Sequence, residues 1–175
     1  MITNNFQLDF VENAEIVMEQ FQRCLETALT EIGTRVEAYA SALAPTDTGT
    51  LKNSITFKVI ENEVFVGTPV FYAPYVEYGT GKFASSGNGR EGWWVFVKNN
   101  KNDVTPKDDT TKVYTKSEAL KIYFALKKKA SKGDADFSED DVWITQGQKP
   151  VHFLLKAVTE HDEEYKNVLR KSFHF

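Results

Sequence analysis

Apolar residues in the first quarter of the chain recur every three or four positions, which is the period of an α-helix. Their spacing predicts one helix from about residue 9 to residue 43, which Pro45 ends. A helix of about 35 residues is roughly 50 Å long. Because a small domain cannot cover that length, we expect part of the apolar stripe to pack on another subunit. A break near Gly33 is the alternative. The stripe consists of Phe10, Ala14, Val17, Phe21, Leu25, Ala28, Ile32, Val36, Tyr39 and Leu43.

The next part of the chain alternates apolar and polar residues, which is the period of a β-strand. Residues 55–59 and 64–66 alternate on either side of residues 61–63, and this predicts a β-hairpin. Residues 93–97 and 142–145 are two further strand candidates. The pattern therefore predicts a small antiparallel sheet after the first helix.

Helical spacing returns from residue 151 to about residue 173. The predicted fold class is α+β: a long N-terminal helix, a small antiparallel β-sheet and a C-terminal helix, with a charged insertion between the late strands. A chain of 175 residues suits one domain, so we expect residues 1–175 to form a single domain.

The charged insertion covers residues 98–141. Residues 98–132 hold ten lysines against four acids, a local net charge of +6, and residues 134–141 hold five acids. Thr115 and Glu118 predict a capping box that begins a helix within the insertion. Either the insertion is a solvated loop whose two halves pair, or it is a basic loop that faces DNA or an acidic partner. The lysines proposed for such a contact are Lys127, Lys128, Lys129 and Lys132.

Overall charge and composition narrow the function classes. The net charge of −4 favours neither a nucleic-acid binder nor a membrane-surface protein, so we expect a protein partner. The single cysteine, Cys24, cannot form an intramolecular disulfide, and its helical apolar neighbours predict a small buried side chain. No signal sequence and no membrane-spanning run is found, and we expect the protein in a cytoplasm.

Asp47, Thr48 and Gly49 match the triplet of aspartic proteases, in which two such loops share a proton between carboxylates. Here the triplet follows the end of a long helix, and no matching apolar segment follows it. Structural context is required before such a motif transfers. We instead predict that Asp47 and Thr48 accept the backbone N–H groups of Thr50 and Leu51, while Gly49 permits the sharp turn.

Two other segments were considered for chemistry. Residues 79–82 read Gly-Thr-Gly-Lys, but Val76 and Phe83 stand where a phosphate-binding loop needs Gly and Ser or Thr. We therefore interpret residues 79–92 as a mobile loop. The histidines His152, His161 and His174 are not spaced for a shared metal, although His161 and Glu164 can pair on one helix face. We predict no metal, no cofactor and no catalytic residue.

Glu77 lies in an aromatic stretch, where an unpaired carboxylate would be costly if buried. A tyrosine hydroxyl, a backbone N–H near Gly79 or a cation of a neighbouring chain would satisfy it, and a solvated Glu77 is the alternative. The aromatic side chains around it form a candidate interface surface. They are Phe71, Tyr72, Tyr75 and Tyr78.

Three short segments occur in a fixed order along the chain, and they resemble those of the tailed-phage minor tail proteins, also called head-tail joining, tail-completion or neck proteins. The first is Pro-x-Asp-Thr-Gly-x-Leu-x-x-Ser-Ile, matched by Pro45, Asp47, Thr48, Gly49, Leu51, Ser54 and Ile55. The second is matched by Tyr72, Ala73, Val76, Glu77, Tyr78, Gly79 and Thr80. The third is matched by Gln148, Pro150, Phe153, Leu154 and Ala157.

The resemblance implies a non-enzymatic virion protein, assembled in the bacterial cytoplasm, that forms a ring, commonly a hexamer, between the DNA-filled head and the tail. Its implied partners are other copies of itself, connector or portal-side proteins, and tail-terminator or tail-tube proteins. A basic loop in the lumen would also contact passing DNA non-specifically. A tail terminator of the same shape is one alternative, and an aspartic-type hydrolase that uses Asp47 is an alternative of another class.

Overall fold

The computed structural model describes residues 3–97 and 114–173, with the side chains of the first helix from residue 13 onward. The predicted N-terminal helix is one continuous element, α1 (Thr3–Leu43), without a break at Gly33. Gly33 is buried against the hairpin, because a Cβ built there would lie 2.3 Å from Cδ2 of Phe57. The missing side chain therefore lets the helix and the hairpin approach closely.

The described chain divides into two compact units, and the first contains the residues up to Ala73 together with those from His152 onward. After α1 come the short helix α2 (Thr50–Ser54) and the strands β1 (Thr56–Ile60) and β2 (Glu63–Gly67). The strands form the predicted antiparallel hairpin, with Val59 opposite Val64. The hairpin packs along α1, as do the last two helices.

The predicted C-terminal helix is two helices, α5 (Phe153–Thr159) and α6 (Asp162–Ser172), so the expectation of one helix was wrong. The chain leaves helical geometry at His161, whose φ is −119°. Three acids follow in the first turn of α6, where negative charge stabilises a helix N-terminus. Phe153 and Ala157 of α5 are fully buried, and Tyr165 and Val168 of α6 are also buried.

The second unit runs from Pro74 to Val151. It contains α3 (Ala73–Tyr78) apart from its first residue, the strands β3 (Trp94–Val97) and β4 (Val142–Thr145), and α4 (Lys116–Ser131). The two strands pair with each other and not with the hairpin, so the described strands form two small antiparallel sheets where one was predicted. Each unit carries one of them. The single domain expected from chain length stays a prediction.

The core of the second unit lies between α4 and the sheet of β3 and β4. Its buried residues are Val95, Ala119 and Val142, and partly buried aromatic and aliphatic side chains surround them. The capping box predicted for α4 is present: the Thr115 hydroxyl and the Glu118 backbone N–H are 3.4 Å apart, and the Glu118 carboxylate accepts the Thr115 N–H at 2.9 Å. The part of the charged insertion at residues 98–113 lies outside the described residues.

None of the helices in the described ranges combines the length and the apolar character that a membrane crossing needs.

Candidate functional site

The first segment forms the turn between α1 and the hairpin. Gly49 takes a left-handed conformation, with φ at 81°, and α2 begins at the next residue. Thr48 Oγ1 lies 3.4 Å from the Thr50 nitrogen, at the long end of a hydrogen bond. Leu51 and Ile55 are buried. The segment is thus anchored by its apolar residues, while Pro45, Asp47 and Thr48 are exposed.

Hydrogen bonds of Ser54 join this segment to the residue that follows the hairpin. Its hydroxyl donates to the Leu51 carbonyl at 2.8 Å and shares a 2.6 Å hydrogen bond with the Thr68 hydroxyl. Thr68 Oγ1 in turn accepts the Val70 N–H at 3.2 Å. The polar residue of the motif therefore has a structural partner in the chain that leads to the second segment.

The second segment is a short helix, α3, with one buried and one exposed face. Ala73, Val76 and Glu77 are buried, and Glu77 keeps only 4% of its surface exposed. The alternative of a solvated Glu77 was therefore wrong. Tyr75 and Tyr78 are exposed on the other face. Outward-facing tyrosines of this kind are enriched at protein interfaces.

The second and third segments lie side by side. Thr80 and Gln148, which are 68 residues apart in the sequence, form hydrogen bonds with each other. Thr80 donates its N–H to the Gln148 carbonyl at 2.9 Å, and its hydroxyl accepts the Gln148 N–H at 2.9 Å. Further along, the Val151 N–H donates to the Val76 carbonyl at 2.9 Å. This hydrogen-bonded ladder, which the sequence did not reveal, fixes the register of the two segments in the second unit.

The glycine-rich stretch after α3 begins as a packed turn, not as the mobile loop that we expected. Residues Gly81–Phe83 form a 3-10 turn, and the Lys82 N–H donates to the Gln146 carbonyl at 3.0 Å. A Cβ on Gly81 would lie 2.1 Å from that same carbonyl oxygen. Glycine is therefore required there by both the close approach and the φ of 58°.

The rest of the third segment enters α5 of the first unit. Phe153 and Ala157 have no exposed surface, and Leu154 is half-buried. These residues face α1, against which α5 packs. Gln148 is exposed and Pro150 half-buried in the preceding unit. The motif residues thus divide into turn-forming and core-forming positions, and their part in binding other proteins stays a prediction.

The three consecutive lysines among the four proposed for a contact do not share one face of α4. Consecutive helical residues are about 100° apart, so Lys127, Lys128 and Lys129 point in three directions, and Lys132 follows the end of α4. A hydrogen bond with the Tyr123 side chain raises the pKa of Lys127, and the charges of Glu139 and Asp140 raise it further. This closeness to the acidic run favours pairing between the two halves of the insertion in its described part.

A polar cluster joins α1 to α6, and sequence reasoning found only half of it. The predicted pair is present, with His161 Nδ1 3.6 Å from Glu164 Oε2. The Glu164 carboxylate also accepts hydrogen bonds from Tyr39, at 2.8 Å, and from Arg35. The His161 ring stacks on that of Tyr39, with centroids 3.6 Å apart. Helical spacing along α1 gave no sign that Arg35 and Tyr39 share a partner on α6.

The side chains that the structure describes include no group of three or more His, Cys, Asp or Glu residues arranged to hold a metal ion. Cys24 is half-buried, less covered than predicted. His174 lies outside the described residues.

The N-terminal part of α1 carries an exposed apolar surface. The stripe is buried at Ala28 and Val36, and the neighbouring Ala40 is buried as well. Towards the N-terminus the stripe residue Val17 and its neighbour Met18 are exposed, and they keep 57% and 62% of their surface. Contiguous apolar surface of this kind marks an interaction site in a soluble protein.

Residues 9–79 match the family model HK97-gp10_like, described as "Bacteriophage HK97-gp10, putative tail-component". The match takes in most of α1, the first segment, the hairpin and the second segment up to Gly79. Neither the curated proteins nor the solved structures gave a match. The match confirms the resemblance to tailed-phage tail proteins over the residues that carry the first two segments, whereas the third segment lies outside the matched range.

Proposed function

We propose that this chain is a structural virion protein of a tailed phage or prophage, and that it joins head to tail at the neck by assembling into a ring. The family match to a phage tail component supports the general role. The observation that carries ring assembly is the apolar stripe of α1, which continues beyond the part that its own chain covers.

The exposed end of the stripe supports assembly, because its apolar side chains would gain free energy of burial in a contact between subunits. Val17, Met18 and Phe21 lie on the same side of α1 as the buried Ala28 and continue its apolar surface. Phe21 is partly covered by Phe173, with ring centroids 4.9 Å apart. Burying apolar surface is worth about 25 cal/mol per Å². Contact with another subunit would therefore stabilise a stretch of helix that a lone chain leaves in water.

The exposed aromatic side chains suit contact with a second kind of virion protein. Tyr75 and Tyr78 keep 57% and 58% of their surface exposed on α3. Aromatic residues are enriched in the energetically important parts of interfaces. We assign this surface to a connector or portal-side protein, or to a tail-terminator or tail-tube protein.

A structural role also fits Asp47 better than hydrolysis does. The carboxylates of an aspartic protease share a proton because they lie close together in a restricted site. Asp47 is exposed in the turn between α1 and α2. We therefore expect Asp47→Asn to change no hydrolytic activity. Hydrolysis of a peptide by the purified protein, lost in Asp47→Asn, would instead favour the enzyme.

Ring assembly is tested by placing a charge at Met18, beside the stripe residues Val17 and Phe21 on α1. We expect Met18→Glu to abolish oligomers while leaving the circular dichroism spectrum unchanged, because Met18 is exposed in the free subunit. The control is Gln20→Glu, which adds the same charge about 200° around the helix. Light scattering coupled to size exclusion, over a concentration series, gives the mass. Oligomers of unchanged mass in Met18→Glu would exclude the stripe as the assembly surface.

The role in the particle is tested with a phage that lacks this protein. A joining protein predicts DNA-filled heads and separate tails of normal length in electron micrographs. A tail terminator predicts tails of irregular length instead. Normal, infectious particles would contradict both roles. Expression of the wild-type chain from a plasmid should restore joined particles, whereas expression of Met18→Glu should not.

A further inference from the structure

The first unit contains an apolar groove that its own chain leaves open. The groove has a volume of about 390 Å³ and lies between α1, β2 and the last two helices. Its walls include Ile32 and Val36 of α1, Phe65 of β2, and Leu154 and Val158 of α5. Phe65 and Val158 keep 52% and 50% of their surface exposed. An exposed concave apolar surface of this kind fits an apolar side of another element.

The exposed part of α1 has the form that such a groove accepts. Ala14, Val17, Met18 and Phe21 stand at i, i+3, i+4 and i+7 of one helix. Helices that bind in apolar grooves use anchors at these positions. The side chains form a narrow convex ridge, and the groove offers a concave surface of the same apolar character. The chain thus carries both halves of a helix-in-groove contact.

The two halves cannot meet within one subunit. The groove is lined by Ile32 of the same continuous helix, and Ile32 lies 11 residues after Phe21. At 1.5 Å per residue these positions are about 16 Å apart along the axis. The helix would have to break and fold back to fill its own groove, whereas α1 is unbroken from Thr3 to Leu43. An occupant from α1 must therefore come from another copy.

We propose that the groove receives the N-terminal part of α1 from a second copy of this chain. This inference rests on the ring assembly proposed above and assigns its contact surfaces. Each copy gives its ridge to one neighbour and receives the ridge of another at a different place. Such a heterologous contact produces a ring when the rotation closes, whereas two identical surfaces meeting would stop at a dimer.

Cysteine cross-linking tests the contact directly, because the chain has one cysteine, which Cys24→Ser removes. In that background one sample carries Met18→Cys and a second carries Val158→Cys. The two are mixed at low concentration, concentrated to allow assembly and oxidised. We expect a species of twice the chain mass on a non-reducing gel from the mixture, and none from either variant alone. The double variant should give a ladder.

Controls separate this contact from chance collisions and from other arrangements. Asn53→Cys is exposed on α2 of the same unit and should not link to Met18→Cys. Links from Met18→Cys alone, as strong as those of the mixture, would mean that two ridges meet each other and would overturn the proposal. So would a lack of links in a sample that light scattering shows to be assembled, although the ring itself would then stand.

A second variant tests the groove without cysteines. Val158→Glu places a charge on the groove wall, and we expect it to abolish assembly as Met18→Glu does. Wild-type protein that stays monomeric at every concentration, together with a mixture of the two cysteine variants that gives no link, would overturn the occupant proposed here. The electron micrographs of the phage that lacks this protein would still decide its role in the particle, so the two proposals can fail separately.

Discussion

The Tyr39 hydroxyl on α1 donates a hydrogen bond of 2.8 Å to the carboxylate of Glu164 on α6, 125 residues later in the chain. Arg35 donates to the other oxygen of the same carboxylate. The hydrogen bond from Tyr39, followed by that from Arg35, lowers the pKa of Glu164 below its ordinary value. One carboxylate thus ties the long helix to the last helix.

This tie predicts an acid-dependent loss of stability. Because the pKa of Glu164 is lower in the folded protein, its contribution is present above the ordinary glutamate pKa of 4.5 and is lost as pH falls through the lowered value. We expect Glu164→Gln to lower stability at neutral pH and to flatten this part of the acid profile. The measurement is urea unfolding at a series of pH values.

The matched control for that experiment is Glu163→Gln on the same turn of α6. Glu163 is exposed and forms an ion pair of 3.0 Å with Lys166, and exposed pairs of this kind contribute little to stability. We expect a smaller effect and an unchanged acid profile. Parallel curves for wild type and Glu164→Gln at every pH would show that the carboxylate does not titrate in this range.

A side-chain hydrogen bond from Tyr165 joins the last two helices. Its buried hydroxyl donates to the Ala157 carbonyl at 2.6 Å. Tyr165→Phe removes the donor and leaves that carbonyl without this bond, which should cost about 1–2 kcal/mol in free energy of unfolding. Tyr75→Phe, at an exposed position, serves as the control and should be neutral. Equal effects of the two substitutions would contradict the assignment.

The same tyrosine predicts a loss of stability in alkali. Burial raises the pKa of Tyr165 from 10.0 to about 12. A raised pKa means that the folded state retains the proton longer, so the contribution is present below pH 10 and is lost as pH rises towards about 12. Tyr165→Phe should remove this part of the dependence. The pH dependence of stability is measured by unfolding followed by circular dichroism. The series starts at pH 9, which is about one unit below the usual tyrosine pKa.

Gly33 tests the close approach of α1 and the hairpin. Alanine normally stabilises a helix by about 1 kcal/mol relative to glycine. Here its Cβ would lie 2.3 Å from Phe57, so the ring must move, and overpacking costs about 1–3 kcal/mol. We expect Gly33→Ala to be destabilising in thermal unfolding. The control is Gly67→Ala, which meets no atom within 4 Å and should be neutral or slightly stabilising.

Gly81 tests the meeting of the second and third segments. Gly81 and Gly87 both have positive φ, at 58° and 70°, so alanine is strained at either position. Only at Gly81 would the new Cβ also strike a backbone oxygen, that of Gln146. We expect Gly81→Ala to destabilise the second unit by clearly more than Gly87→Ala, which costs about 1 kcal/mol. Hydrogen exchange of the Lys82 and Thr80 amides locates the effect.

Local patterns were sufficient where the interactions that form an element are themselves local. The stripe of α1, the alternation of the hairpin and the capping box of Thr115 and Glu118 are encoded within a few residues of each other, and all three are present. Local patterns did not predict the break at His161, because the helical spacing of apolar residues continues across His161 while its backbone is not helical.

The order of the three segments along the chain was also readable from sequence, and it led to the tail-component family that residues 9–79 match. Their arrangement in space was not. Gln148 bonds to Thr80 only through its own backbone N–H and carbonyl, which every residue carries, so the side-chain pattern around Gln148 does not predict the pair. The need for glycine at position 81 becomes clear only when the neighbouring carbonyl of Gln146 is known.

The sequence by itself determined the elements, the class of fold and the family resemblance, because helix and strand periods and turn residues act over short distances. Only the tertiary structure decided which faces are covered. It buried Glu77, gave Glu164 its two donors on α1, and left Val17 and Met18 exposed. A periodic pattern states that a face is apolar, but the partner that covers it depends on how distant parts of the chain meet.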